Sequence, residues 1–268
     1  MSNNDIILTA NEVSIMFGGL LAVNNFSCNL RRGELAALIG PNGAGKTTIF
    51  NLFSGIYKPV SGAIIFYKNN GVKIKTSALN PSGVSRAGIA RTFQNIRLFN
   101  SLSTLDNVRI ALHHSRNTTA FETIFHFPRF FHDEEMQRNE AEHLLSLFKI
   151  ADKKNELAKN LPYGEQRKLE IARALALKPE LLLLDEPAAG MNPQETEELM
   201  IAIIKIRKDF NLTVLLIEHD MKLVMGIAER IMVLEYGALI AEGKPEEIRK
   251  NPAVIKAYLG NESIGEEC

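Results

Sequence analysis

The chain has 268 residues, enough for a large core in one or two lobes. Its 31 basic residues balance 31 acidic ones, so bulk charge gives no support for a nucleic-acid partner, and two cysteines, Cys28 and Cys268, cannot build a disulfide framework or a thiolate zinc site. No apolar stretch approaches the roughly 20 residues needed to cross a bilayer, and Met1 to Asp5 lacks the apolar core of a signal peptide. A reducing cytosolic compartment is expected, with any membrane role exercised through a partner.

In chain order, Ile6 to Phe17 alternates loosely and reads as a strand, and Phe26 to Leu30 as its antiparallel partner. The apolar run Leu35 to Ile39 reads as a buried strand, and Thr48 to Phe53 as the start of a helix closed near Gly55. Gly62 to Tyr67 reads as a strand before a turn at Lys68 to Gly71, and Arg86 to Phe93 leads into a strand ending near Gln94. From Ser103 to Asn160 the pattern turns helical. It is clearest at Glu140 to Phe148, where Ala141, Leu144, Leu145 and Phe148 share a face. After Pro179 strands and helices alternate again: Leu181 to Leu184 and Thr213 to Ile217 are buried strands around a helix over Pro193 to Phe210. Tyr236-Gly237 turns a hairpin between Ile231 to Leu234 and Ala238 to Ala241, and Glu246 to Leu259 is helical around Pro252. The architecture is therefore an α/β core interrupted by a helical insertion.

Between the third strand and its helix lie Gly40, Pro41, Asn42, Gly43, Ala44, Gly45, Lys46 and Thr47, which fit the phosphate-binding pattern G-x-x-x-x-G-K-[ST]. Glycines let the backbone curl into a nest of inward N–H groups, and the helix N-terminus behind it favours an anion. Lys46 supplies a charge for the β- and γ-phosphates, and the Thr47 hydroxyl suits Mg²⁺, with Thr48 next on the helix. A nucleoside triphosphate is the expected ligand. The strand Leu181 to Leu184 ends in two carboxylates: Asp185 is placed to hold Mg²⁺, and Glu186 to polarise a water aimed at the γ-phosphate. Thr213 to Ile217 ends in Glu218, His219 and Asp220. By spacing, His219 serves either as a sensor of the γ-phosphate or as a structural histidine at a helix start. Leu161 to Gln166 precedes a strong helix, so Gly164 sits either in an ordinary cap or at an anion-binding N-terminus.

These four elements, in this order, resemble the nucleotide-binding subunit of an ABC transporter over nearly the whole chain. The resemblance implies a RecA-like P-loop ATPase core (1–94 and 179–241) with an antiparallel β subdomain, an inserted α-helical subdomain (about 95–178) and a C-terminal helical tail (242–268). It implies two subunits packed head-to-tail around two ATP molecules, each site joining one phosphate loop to the partner's signature helix. Phe17 then matches the aromatic that stacks on adenine, and Gln94 the glutamine that reaches Mg²⁺ and the attacking water. Glu186 matches the catalytic glutamate, His219 the switch histidine, and Ala189 to Asn192 the loop that communicates across the dimer. Tyr163, Gly164 and Glu165 match the signature positions that meet the opposing nucleotide. The usual signature begins Leu-Ser-Gly-Gly-Gln; here Pro162 replaces the serine, Tyr163 a glycine and Glu165 the glutamine, and Asn192 stands where Asp is usual. Pro162 has neither hydroxyl nor N–H to offer.

More narrowly, Leu161 to Gly164 with Arg167 to Arg173, Asp185 to Pro193, Leu216 to Gly226, Glu242 to Arg249 and Ala257 to Gly260 resemble the larger ATPase subunit of branched-chain amino acid importers. That implies a second ATPase subunit, two membrane permeases and an external binding protein as partners, with the chain peripheral on the cytoplasmic face of the inner membrane. Related systems carry urea or short amides. A lipid exporter motor, a soluble ABC ATPase and an ATP-binding regulatory subunit are the competing readings. His113, His114, His126 and His132 make a metal site conceivable without a supporting spacing. Phe121, Phe125, Phe127, Phe130 and Phe131 make either a small core or, less favoured, a contact surface for a membrane subunit.

Overall fold

The structure, a computed structural model, describes residues 5–115 and 128–259, with the side chains of 114, 115, 128–133 and 259 excepted. It falls into two units. One takes the chain to Arg91, Glu180–Pro187 and the part from Arg207 onward; the other takes Thr92–Pro179 and Ala188–Ile206. Residues 188–206 thus group with the helical unit.

In the first unit the strands in chain order are β1 (Ile6–Phe17), β2 (Leu20–Arg31), β3 (Leu35–Ile39), β4 (Ser61–Tyr67), β5 (Lys73–Lys75), β6 (Ile89–Arg91), β7 (Leu181–Asp185), β8 (Thr213–Ile217), β9 (Arg230–Glu235) and β10 (Ala238–Gly243). Every residue of β3, β7 and β8 is buried, as parallel strands covered on both faces must be. They are the centre of a six-stranded sheet ordered β10-β9-β3-β8-β7-β6, parallel except for the edge strand β10. A second sheet, β2-β1-β4-β5, is antiparallel. Helix α1 (Lys46–Phe53) buries Ile49, Phe50 and Phe53 in a cluster shared with Leu8 and Phe26 of one sheet and Leu38, Leu183 and Ile217 of the other. Through that shared core α1 packs against β7.

In the second unit, α3 (Thr104–Ser115), α4 (Pro128–Leu147) and α5 (Tyr163–Leu175) pack on one another; α2 (Pro81–Ala87) belongs to the first. Ala141, Leu144, Leu145 and Phe148 are all buried, so the amphipathic face at the end of α4 lies where its periodicity puts it. Helix α6 (Pro193–Asp209) begins with its proline in the first turn. The first unit closes with α7 (Met221–Ile227), α8 (Pro245–Lys250) and α9 (Pro252–Leu259). The last two replace the single expected segment: Asn251, with φ −73° and ψ 120°, breaks it before Pro252.

Other boundaries differ for physical reasons. β2 begins six residues before its expected start, because register shifts and left-handed residues at Glu12 (φ 49°) and Asn25 (φ 47°) interrupt the alternation that marks a strand. α1 begins two residues early, at Lys46. β6 stops at Arg91 rather than near Gln94. β5 and α2 have no counterpart in the expected elements, although Asn80 caps Gly83 N at 2.8 Å and Pro81 opens the helix. His113 is exposed on α3. The His114 and His132 side chains, His126, and the five phenylalanines of that stretch lie outside what is described.

Candidate functional site

Gly40 leaves β3 with φ +152°, and a Cβ there would lie 2.1 Å from the carbonyl oxygen of Leu234. The loop is therefore pressed onto β9 at a distance only glycine permits. Gly45 (φ +100°) caps α1 with no side-chain hydrogen bond, and Ile49 is the first residue to close a helical bond, to Gly45 O at 3.0 Å. The N–H groups of Lys46, Thr47 and Thr48 thus face the loop as an anion-binding helix start. Asn42, Gly43 and Thr47 are exposed, and Ala44 is buried. The β9–β10 turn holds the loop from behind: Gly237 N donates to Ala44 O at 3.0 Å, and Asn24 N donates to Gly237 O at 2.9 Å.

Lys46 Nζ donates to the carbonyls of Gly40 (2.7 Å) and Pro41 (2.8 Å). Burial pushes this ammonium below its ordinary pKa, and the charges of Glu186 and Asp185 partly offset that. Asp185 ends β7 as a buried carboxylate, its Oδ2 2.8 Å from Arg91 Nη2 at the end of the adjacent β6. Arg91 also donates to Asn51 Oδ1 (2.6 Å) and Ser54 Oγ (3.0 Å). This arginine ties the carboxylate to the phosphate-loop helix.

Glu186 follows in a left-handed backbone conformation, φ 48°. For a glutamate this costs about 1–3 kcal/mol and persists only where surroundings enforce it. Here its N–H extends the β7–β8 ladder, donating to Ile217 O at 2.9 Å. The twist places Glu186 Oε1 2.5 Å from His219 Nε2. His219 does not cap a helix: Asp220 does, accepting from Lys222 N (2.8 Å) and Leu223 N (3.2 Å). The imidazole, half exposed, is left to the carboxylate. Lys46, Asp185, Glu186 and His219 therefore all lie at the carboxyl ends of β3, β7 and β8, where open parallel sheets bind ligands. The hard oxygens of the exposed Thr47 hydroxyl and of Asp185 suit Mg²⁺, which takes one or two protein ligands and fills its octahedron with phosphate and water. Among the described residues no group of three or more His, Cys, Asp and Glu could hold a metal by itself.

Phe17 ends β1 half exposed, its ring 5.0 Å from Tyr57 in an edge-on pair at 64°. Sequence reasoning passed over Tyr57 and Arg91. It also passed over Tyr258 of α9, whose hydroxyl the Gly40 backbone hydrogen bonds and whose pKa burial raises. Arg91 gives a signal in retrospect, as a charged residue ending a strand beside the Asp185 strand; Tyr57 and Tyr258 give none.

The remaining expected residues belong to the helical unit. The Gln94 side chain is exposed. Pro162 opens α5 without a side-chain cap, Tyr163 is 45% exposed, and Gly164 is buried, where a Cβ would meet Glu195 Oε1 at 3.0 Å. The Glu165 carboxylate is held by Lys153 Nζ at 2.6 and 2.7 Å. Asn192 does the capping of an aspartate: its Oδ1 accepts from Glu195 N at 2.9 Å while its own N–H donates to Glu195 at 3.0 Å.

Known proteins resemble this chain in sequence and in fold. The ABC transporter family model matches residues 23–189, and that of the branched-chain amino acid ATP-binding cassette transporter matches residues 238–263. The high-affinity branched-chain amino acid transport ATP-binding protein LivG of Salmonella typhimurium is 46% identical over 254 residues, 95% of this chain and 98% of that protein. BraF of Pseudomonas aeruginosa, which carries the same description, is 45% identical over the same shares. Among solved structures, the ADP conformation of an ATP-binding cassette of an ABC transporter matches with a TM-score of 0.80 and 27% identity, over 95% of this chain and 99% of that one. A dimeric post-hydrolysis cassette bound to ADP and Pi matches at 0.74 and 26%, over 89% and 99%. Fold, phosphate loop and sequence agree from end to end: the chain belongs to the ABC transporter family, as one of its ATP-hydrolysing cassettes.

Proposed function

We propose that this ATPase powers uptake of branched-chain amino acids through partner permeases, by ATP-driven closure of a dimer of cassettes. The contact between Glu186 and His219 at 2.5 Å, beside Lys46 and Asp185, carries the catalytic part of the reading. The phosphate loop, Gly40 to Thr48, binds the triphosphate, with Phe17 on the adenine, and Lys46 neutralises charge on the β- and γ-phosphates. Mg²⁺, held by Thr47 and Asp185 with Gln94, would supply charge neutralisation at the phosphate oxygens. Glu186 accepts the proton of the attacking water, and His219 holds that carboxylate in position and meets the γ-phosphate. Tyr163, Gly164 and Glu165 of one cassette meet the nucleotide of the other. ATP bridges that exist only in the closed dimer favour closure, and hydrolysis removes them.

The cargo and partners follow from likeness to LivG and BraF: a second ATPase subunit, two permeases and, indirectly, an external binding protein, with this chain peripheral on the cytoplasmic face. No helix among the described residues is long and apolar enough to cross a membrane, which suits that placement. The domain division is that of a single cassette with core, β subdomain, helical subdomain and tail.

Two measurements test this. In the first, Glu186→Gln lowers steady-state phosphate release by roughly 10²–10⁴-fold while ATP binding persists; unchanged turnover would remove Glu186 as the base. In the second, a tagged pull-down from native membranes in mild detergent yields two permeases and a distinct second ATPase. Recovery with ribosomes, or alone, would overturn the importer reading.

A further inference from the structure

Residues 92–99 carry no regular secondary structure, so their backbone polar groups must find partners elsewhere. Phe99 finds them on Asn107 of α3, which accepts from its N–H at 2.9 Å and donates to its carbonyl at 3.1 Å; Phe93, Gln94 and Arg97 find them on two side chains of α5. Arg167 Nη1 donates to Phe93 O at 2.6 Å, and Nη2 donates to Gln94 O. Glu170 Oε1 accepts from Phe93 N and from Arg97 N, each at 3.4 Å. Arg167 Nη1 and Glu170 Oε2 are 3.2 Å apart, with only 1% and 3% of their side chains exposed. The same Arg167 Nη2 reaches Tyr163 Oη at 3.1 Å, one turn back on the helix. Tyr163 in turn packs on the loop before α6, where a Cβ on Gly190 would meet its ring at 3.0 Å. One guanidinium thus joins the Gln94 carbonyl to the tyrosine that replaces a signature glycine.

A buried ion pair is a poor way to stabilise a protein, since hydrophobic residues of similar volume often do as well. Burial raises the Glu170 pKa, and the Arg167 charge and the two N–H groups oppose that rise. What an apolar pair cannot do is hold two carbonyls and two N–H groups of an irregular segment at once. The planar fork reaches the two carbonyls from two separate nitrogens while also meeting Tyr163 and Glu170, a spread that the single ammonium of a lysine does not reproduce.

We propose that Arg167, backed by Glu170, is a positioning residue for hydrolysis: it fixes the Gln94 segment to the Tyr163 turn, so that the two move as one piece. The effect on turnover rests on the proposed role of Gln94; the clamp itself does not.

The test uses the full-length protein and the Arg167→Lys variant. Amide hydrogen exchange at Phe93 and Arg97 accelerates by about tenfold or more while α4 keeps its protection. kcat falls by about tenfold with KM for ATP within about twofold of the parent. In a Gln94→Ala background the same substitution lowers kcat no further. Unchanged exchange at Phe93 and Arg97 overturns the clamp; unchanged kcat beside a defective Gln94→Ala protein, or a fully additive loss, overturns its catalytic role. If Gln94→Ala turns over like the parent, the Gln94 role fails, and the exchange data alone decide the clamp. Should Arg167→Lys not fold, Glu170→Gln, which keeps the shape and removes the charge, gives the same readouts.

Discussion

The two units position their functional groups by opposite means. In the α/β unit the groups stand at the ends of buried strands, and neighbouring backbone holds the phosphate loop: Leu234 O lies where a Gly40 Cβ would go, and Gly237 N binds Ala44 O. In the helical unit the Gln94 segment has no ladder, and the Arg167–Glu170 pair takes its place. Strand ends inherit their precision from a sheet that many residues determine together. A side-chain clamp concentrates it in two, so single substitutions there are costly and local.

Arg167→Met sharpens this contrast most. It leaves Glu170 buried without its hydrogen-bonded cation, with only the weaker pull of Arg173 remaining, and such losses cost about 3–5 kcal/mol. The double variant Arg167→Met/Glu170→Leu recovers much of that stability in urea unfolding, but not the protection of residues 93–97. If the single variant is as stable as the parent, the pair is not the fulcrum described. Next in size is Gly40→Ala. A non-glycine residue at φ +152°, overlapping Leu234 O, costs about 1–3 kcal/mol of backbone strain. Because the overlap falls on the loop itself, the loss shows in nucleotide affinity by calorimetry, by about tenfold to a hundredfold at 1.4 kcal/mol per decade. Retained affinity would show that the loop tolerates displacement from β9.

The same contrast explains what the sequence discloses. A strand buried on both faces must be apolar throughout, so Leu35 to Ile39, Leu181 to Leu184 and Thr213 to Ile217 stand out, and the polar residues after them mark the site. Glycines forced by close backbone contact mark the loop. The first half of β2 is hidden because Asn25 turns left-handed and breaks the alternation. His219 is ambiguous until Asp220 is seen to cap α7. Arg167 and Glu170, three apart on a helix, have the spacing of an ordinary surface ion pair; only the irregular chain lying over them makes them a buried clamp. Tyr258 is some two hundred residues from the Gly40 it touches, and no periodicity predicts that contact.

The smallest effect separates the units by pH. Both bury an acid whose proton is held more tightly than usual: Glu170 in the helical unit, and Cys28 on β2 in the α/β unit. The Cys28 thiol, 5% exposed, is pushed from 9.0 up to about 12, chiefly by burial, against the pull of Arg230 and with a further push from Glu242 and Glu34. Its folded pKa lies above its unfolded one, so its contribution is complete below pH 9 and is lost as pH rises toward 12. Within that window the unfolded chain binds fewer protons than the folded one, and stability falls with pH, by about 1.4 kcal/mol per pH unit. Cys28→Ala removes this term and leaves every other alkaline titration in place. The difference between parent and variant in urea midpoints at pH 8 and pH 10 therefore isolates the thiol. The parent should lose about 1 kcal/mol more than the variant over that interval. Equal losses would mean that Cys28 ionises as easily in the folded sheet as in the unfolded chain, and that the packing of β2 against Arg230 and Glu242 is looser than its burial implies.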